Sequence, residues 1–204
     1  MAKKASKASA RKAARKPARS AARTPAKAVP KASGGSRAKV ARASRKDQYL
    51  EVFLREHATT MKVLRALPAG QSSFAPHPRS MTALRLVSTL AGEQGIVRAA
   101  LEGTLKMPPE FSPPPPTWDD AIASYERGVQ SVVVAVRAVS DARFDATVPF
   151  FVGPGRIGNV PVGELLWLML MDLIHHRGQF SVYVRMAGGK VPSIYGPSAD
   201  EPWN

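Results

Sequence analysis

Between residues 48 and 67 apolar side chains recur as Leu50, Leu54, Met61 and Leu64, and His57 fills the one gap in that alternation of fours and threes. Such a rhythm stays on one side of an α-helix, so it predicts a first helix with His57 on its core stripe, stopped by Pro68 and Gly70. A second stripe reads Leu86, Leu90, Val97 and Leu101, with Glu93 on it and Thr89 at its flank; Ser80 is the expected N-cap and Gly103 the expected stop. The third reads Trp118, Ile122, Tyr125, Val129, Val132, Val136 and Val139, opened by a Thr117 cap and by Asp119 and Asp120, whose charges suit a helix N-terminus. A fourth begins near Pro161 and carries Leu165, Met169, Asp172, His176, Phe180 and Tyr183 before Gly188 and Gly189 end it.

The connections are long. Residues 107–116 are proline-rich and read as an extended crossover. Residues 141–160 hold Pro149, Gly153, Pro154, Gly155 and Gly158 and read as a loop with a short strand-like patch at 148–152. Four amphipathic helices of about 20 to 27 residues and no strand series predict an all-α fold, a four-helix bundle with long crossover loops, over residues 47–204.

Charge divides the chain. Of 30 Lys and Arg residues, 16 lie in residues 1–46, which contain no Asp or Glu; the remaining 14 basic and 15 acidic residues leave residues 47–204 at 14 − 15 = −1. The first segment is Lys, Arg and Ala-rich with no aromatic residue, so it is expected to be a disordered tail, resembling histone-like tails in composition only. Its cations, among them Lys3, Lys4, Lys7, Arg11, Lys12, Arg15, Lys16, Arg19 and Arg23, suit nonspecific binding of nucleic acid through phosphate charge; a solubilising or targeting extension is the other reading. The apolar run from Leu165 to Leu170 is cut by Asp172, well short of the roughly 20 residues of a membrane span, so no membrane is expected and a cytoplasmic, nucleoid-associated protein is. The absence of cysteine removes disulfides, thiolate metal sites and cysteine nucleophiles, leaving oxygen and nitrogen ligands for any chemistry.

Asp172 and His176, four apart, share one face of the fourth helix, where the surrounding stripe is hydrocarbon. A carboxylate there needs a partner, and His57, Thr89, Glu93 and Arg177 are the candidates. Two readings stand: an Asp–His pair that satisfies itself in the core, and a metal site assembled from facing helices. His57 alone reads as a packed histidine, and His77, between two prolines, has no role.

The run from Asp172 through His175, His176, Arg177 and Gly178 to Phe180, the segment from Tyr183 to Gly188, and the tail from Val191 to Glu201 resemble the C-terminal helix and end of the DinB-like (YfiT-like) family of candidate metalloenzymes. The phrase from Phe74 to Leu84 is similar to that family's entry into its second helix. The resemblance implies a four-helix bundle holding a divalent metal (zinc, nickel or manganese) with one His from the second helix and two, four apart, on the fourth. Here it puts His176 at the last ligand, Asp172 at the middle one and Thr89 at the degenerate helix-two position, for which Glu93 or His57 could substitute; His175 falls outside the set. It further implies a homodimer and a metal-dependent transferase or hydrolase acting on a small molecule, the alternative being a catalytically degenerate bundle used as a stress-response binding or dimerisation module.

Overall fold

The structure, a computed structural model, describes residues 43–203. The expected disorder of the tail and its nucleic-acid-binding cations from Lys3 to Arg23 lie outside the described residues.

Helix α1 spans Arg45–Arg65. It starts ahead of the expected Gln48 because Ser44 and Asp47 cap it reciprocally: the Asp47 N–H donates to Ser44 Oγ at 3.1 Å and the Ser44 N–H to Asp47 Oδ2 at 3.2 Å. Its buried face is Tyr49, Phe53, Glu56, Thr60, Met61, Val63 and Leu64; Met61 and Leu64 are buried as expected, but toward the N-terminus the face lies one residue out of step with the expected stripe, with Leu54 exposed and His57 half-buried. Both sets have helical spacing. The larger aromatic area of Tyr49 and Phe53, together with a cation waiting for Glu56, selects the face that packs.

Helix α2 spans Ala83–Glu102 and is capped by Thr82 rather than Ser80: the Arg85 N–H donates to Thr82 Oγ1, while the Ser80 N–H is spent on His77 in the preceding turn. Gly103 closes it at φ +80°, where only a residue without Cβ is unstrained. Its expected stripe is buried, Glu93 included. Helix α3, Trp118–Ala138, takes the expected Thr117 cap and buries Tyr125, Val129, Val132 and Val136.

Residues 141–160 are more ordered than the expected loop. They form a short helix α4 (Asp141–Asp145) and an antiparallel hairpin of β1 (Thr147–Gly153) and β2 (Arg156–Pro161), turned at Gly155 with φ +65°. Alternation of buried Val148 and Phe150 with exposed neighbours is the period of a strand with one covered face. Helix α5, Val162–Met186, completes the set and buries Leu165, Leu166, Leu173 and Phe180. Among the described residues no helix is long and apolar enough to cross a membrane.

The four long helices share one core, and their directions follow from their contacts. Lys46 Nζ reaches Val139 O while Arg65 pairs with Glu126, so α1 and α3 are antiparallel. Tyr49 meets Trp167 edge-on and Glu56 meets Arg177, so α1 and α5 run parallel. Gly128 lies against Gln94 and the last turns of α2 and α3 share a groove at Leu101 and Ala138, so these two are also parallel. Parallel neighbours cannot be joined by a tight turn. The proline-rich segment after Gly103 therefore travels back along the helices, and its Phe111 ring comes so close to Gly92 that a Cβ there would lie 2.5 Å from it.

One charged pair lies within this core. Arg177 NH1 donates to Glu56 Oε2 at 2.9 Å and to the Glu56 carbonyl at 3.1 Å, and Arg177 NH2 donates to the Tyr195 hydroxyl, which in turn donates to Glu56 Oε2. Burial pushes the Glu56 carboxyl up, but the Tyr195 and Arg177 hydrogen bonds and the Arg177 charge outweigh it and hold it below its ordinary value. Removing one member strands the other without solvent. We expect Glu56→Ala to lower stability in urea unfolding by about 3 to 5 kcal/mol, and Glu56→Leu combined with Arg177→Met to lose clearly less, since the double change leaves no orphaned charge.

Candidate metal centre

Where α2 faces α5, Glu93 projects from the core stripe of one helix toward Asp172 and His176, which the four-residue spacing places one turn apart on the other. One donor atom from each of the three lies within 4.8 Å of the others. His176 Nε2 is 3.5 Å from Glu93 Oε1 and 3.7 Å from Asp172 Oδ2, both beyond a sound N–H···O hydrogen bond. Donors held about 2.0 to 2.2 Å from one ion at tetrahedral angles stand roughly 3.3 to 3.6 Å apart, so the spacing suits chelation better than a self-satisfied Asp–His pair.

Glu93 forms the floor. Its carboxyl is buried and Oε2 has no hydrogen-bond partner. Burial first, and then the neighbouring Asp172, push its pKa up to about 9, so without a cation it is protonated at neutral pH. Asp172 forms the rim, with 42 % of its side chain exposed, which differs from the buried position expected of it. His176 lies between them, mostly buried, with Nδ1 3.1 Å from Gln179 Oε1.

The other candidates are elsewhere. Thr89 sits one turn before Glu93, and its hydroxyl donates to the Arg85 carbonyl at 3.1 Å. His57 packs its ring against Tyr125, with Nδ1 3.4 Å from the phenol oxygen, and its burial lowers its pKa. Arg177 does fold inward, toward Glu56 and away from Asp172. His175 is exposed and is not among the three cluster residues. A groove of about 470 Å³ between α2 and the crossover is lined by none of the three cluster residues. The hydrogen bonds of Glu56 and Tyr195 with Arg177, and of Gln179 with His175 and His176, were not legible in the sequence; the only signal for Glu56 was the competing rhythm Tyr49, Phe53, Glu56, Thr60, Val63 on α1.

Fold and site together define a mostly helical protein with a carboxylate–histidine donor cluster between two of its long helices. A sequence model of the DinB family matches residues 40–203, and the chain belongs to that family. It is 28% identical over 157 residues to the uncharacterized protein YrdA of Bacillus subtilis (strain 168), covering 76% of this chain and 90% of YrdA. Its fold is that of the DinB-like protein YjoA from Bacillus subtilis (TM-score 0.58, 20% identity, 72% of this chain and 96% of that one). A DinB-like protein from Bacillus cereus ATCC 10987 is equally similar (TM-score 0.59, 22% identity, 72% and 95%). The mycothiol-dependent maleylpyruvate isomerase is more distant (TM-score 0.50, 15% identity, 73% and 65%).

A carboxyl whose folded-state pKa is raised is neutral at no cost in acid, and it destabilises the fold progressively as pH climbs from its unfolded value toward about 9. In the presence of a chelator, the stability of the wild-type protein relative to Glu93→Gln should therefore fall by up to about 1.4 kcal/mol per pH unit between pH 5 and 9. Parallel denaturant curves for the two proteins would show a widening gap; a constant gap would mean that Glu93 is not held neutral.

Proposed function

We propose that the chain is a four-helix bundle that binds one divalent cation (zinc, nickel or manganese) through Glu93, Asp172 and His176 and acts as a metal-dependent transferase or hydrolase on a small molecule. The observation that carries this reading is the buried Glu93 carboxyl, with one oxygen unpartnered and two further donors at chelating distance. Carboxylates leave such a group unsatisfied only at a cost, which a cation would remove. Two carboxylates and one imidazole form a harder donor set than three imidazoles, compatible with manganese and zinc.

When bound, such a cation supplies Lewis acidity that makes a water or thiol a better nucleophile at neutral pH. The chain's own residues divide the remaining work. Glu93 and His176 hold the floor of the site out of solvent, and Asp172, at the exposed rim, has a second carboxylate oxygen beyond the one that would hold the cation, which could accept a proton from an arriving nucleophile. The mycothiol dependence named for the related isomerase supports a small thiol as one class of nucleophile to test. A second reading, a catalytically degenerate binding module, is favoured by Thr89, whose hydroxyl is turned back on its own helix. The segregation of 16 cations into residues 1–46 supports a further proposal, nonspecific nucleic-acid binding by that segment.

Protein purified without a histidine tag should carry close to one divalent ion by elemental analysis, and Asp172→Ala or His176→Ala should lose it. Thr89→His should tighten zinc in calorimetric titration by adding a fourth donor beside Glu93; a metal-free wild type that stays metal-free in excess zinc would leave the degenerate module standing. Turnover in a thiol-transfer assay that follows metal content would separate the enzyme from a metal-stabilised scaffold. In gel shifts, the full chain should bind DNA with an affinity that drops steeply with salt, and a protein lacking residues 1–44 should not bind; equal binding by both would mean that the deleted basic segment is not the nucleic-acid element.

A further inference from the structure

We infer that Gln179 is a positioning residue for the cluster: its amide fixes the proton of His176 on Nδ1 and so turns an unprotonated Nε2 toward Glu93 and Asp172. Gln179 lies three residues after His176 and four after His175, so one side chain on the outer surface of α5 can reach both rings. Gln179 Oε1 is 3.1 Å from His176 Nδ1, and Gln179 Nε2 is 2.9 Å from His175 Nε2. An amide oxygen only accepts, so Nδ1 of His176 must carry the hydrogen, and a neutral imidazole then has its lone pair on Nε2. On the other side the amide N–H donates to His175 Nε2, which requires His175 to keep its own hydrogen on Nδ1.

The structure sets the amide oxygen, not the nitrogen, against His176 Nδ1, and the reversed amide is the alternative that the nitrogen spectrum tells apart. It would set an N–H against His176 Nδ1 and drive the hydrogen to Nε2. The carboxylate oxygens facing Nε2 stand at 3.5 and 3.7 Å, outside hydrogen-bonding range, and the ring is largely enclosed, with 16 % of the side chain exposed. Nε2 has no hydrogen-bond partner in range in either arrangement; the one found pairs Nδ1 with the Gln179 amide oxygen at 3.1 Å and leaves the Nε2 lone pair, the atom a cation would take, facing the two carboxyls. The consequence for affinity rests on the proposed metal site; the tautomer does not, because the hydrogen bonds that set it involve no ion.

The test is ring-nitrogen NMR of 15N-histidine-labelled protein kept in chelator at pH 8, with His176 assigned among the 4 histidines through His176→Asn. His176 should show a protonated Nδ1 and an unprotonated Nε2; a protonated Nε2 overturns the inference. Gln179→Leu, or Gln179→Ala if that variant does not fold, should move His176 toward the Nε2-protonated or a mixed state. Gln179→Glu, which keeps an acceptor facing Nδ1, should retain the wild-type pattern. Zinc affinity should fall by about 10 to 100-fold in the Leu variant and stay within about 3-fold in the Glu variant, the size expected of a group that orients a metal-bound imidazole. Identical tautomers in the wild type and the Leu variant would also overturn the inference, since a side chain that merely packs has no hold on the proton. If no zinc binds yet the tautomer follows Gln179 in this way, the positioning role stands and the proposed metal site fails.

Discussion

The pairing of Glu56 with Arg177 governs how the last helix sits against the first, and the cluster depends on that seating. A guanidinium in a hydrocarbon core is tolerated only when its donors are occupied, and here the Glu56 carboxylate, the Glu56 carbonyl and the Tyr195 hydroxyl take them, with the tyrosine ring 4.9 Å over the cation. Successive residues on a helix point about 100° apart. Fixing Arg177 onto α1 therefore rotates its neighbour His176 toward α2, where Glu93 stands. The contact that holds α5 in register with α1 thus also aims the imidazole.

A second constraint comes from direction. Because α2 and α3 run parallel, the connection between them must return the length of the pair, and a chain of prolines spans distance without asking for hydrogen-bond partners. Gly92 accommodates its passage, since Phe111 occupies the space a side chain would need. Glu93, next in sequence, points about 100° further round the helix, into the core. The surface that receives the crossover and the surface that builds the cluster are therefore separate faces of one helix.

Much of this was legible in the sequence. The stripes of α2, α3 and α5 each had a single strong solution, and so their caps, stops and buried residues emerged close to the expected places; the pairing of Asp172 with His176 and the position of Glu93 on the core stripe followed from them. Helix α1 had two stripes of similar strength, and periodicity alone cannot rank them. The deciding contact, with Arg177, lies 121 residues away. For the same reason nothing in the sequence singled out Glu56 or Tyr195. The hairpin after α4 was obscured by glycine and proline, which mark turns readily and paired strands poorly. Gln179 left no mark because an amide beside two histidines on a polar helix face is unremarkable until distances assign its two ends.

The separation of the Glu56 partners along the chain also bears on how the protein is made. During synthesis α1 leaves the ribosome first, with a carboxylate destined for burial and no cation to meet it until Arg177 emerges, and no hydroxyl until Tyr195 follows. The parallel helices α2 and α3 are complete well before then and can pack on each other, but α1 has no finished place until α5 exists. The nascent chain must therefore keep its first helix soluble on its own account.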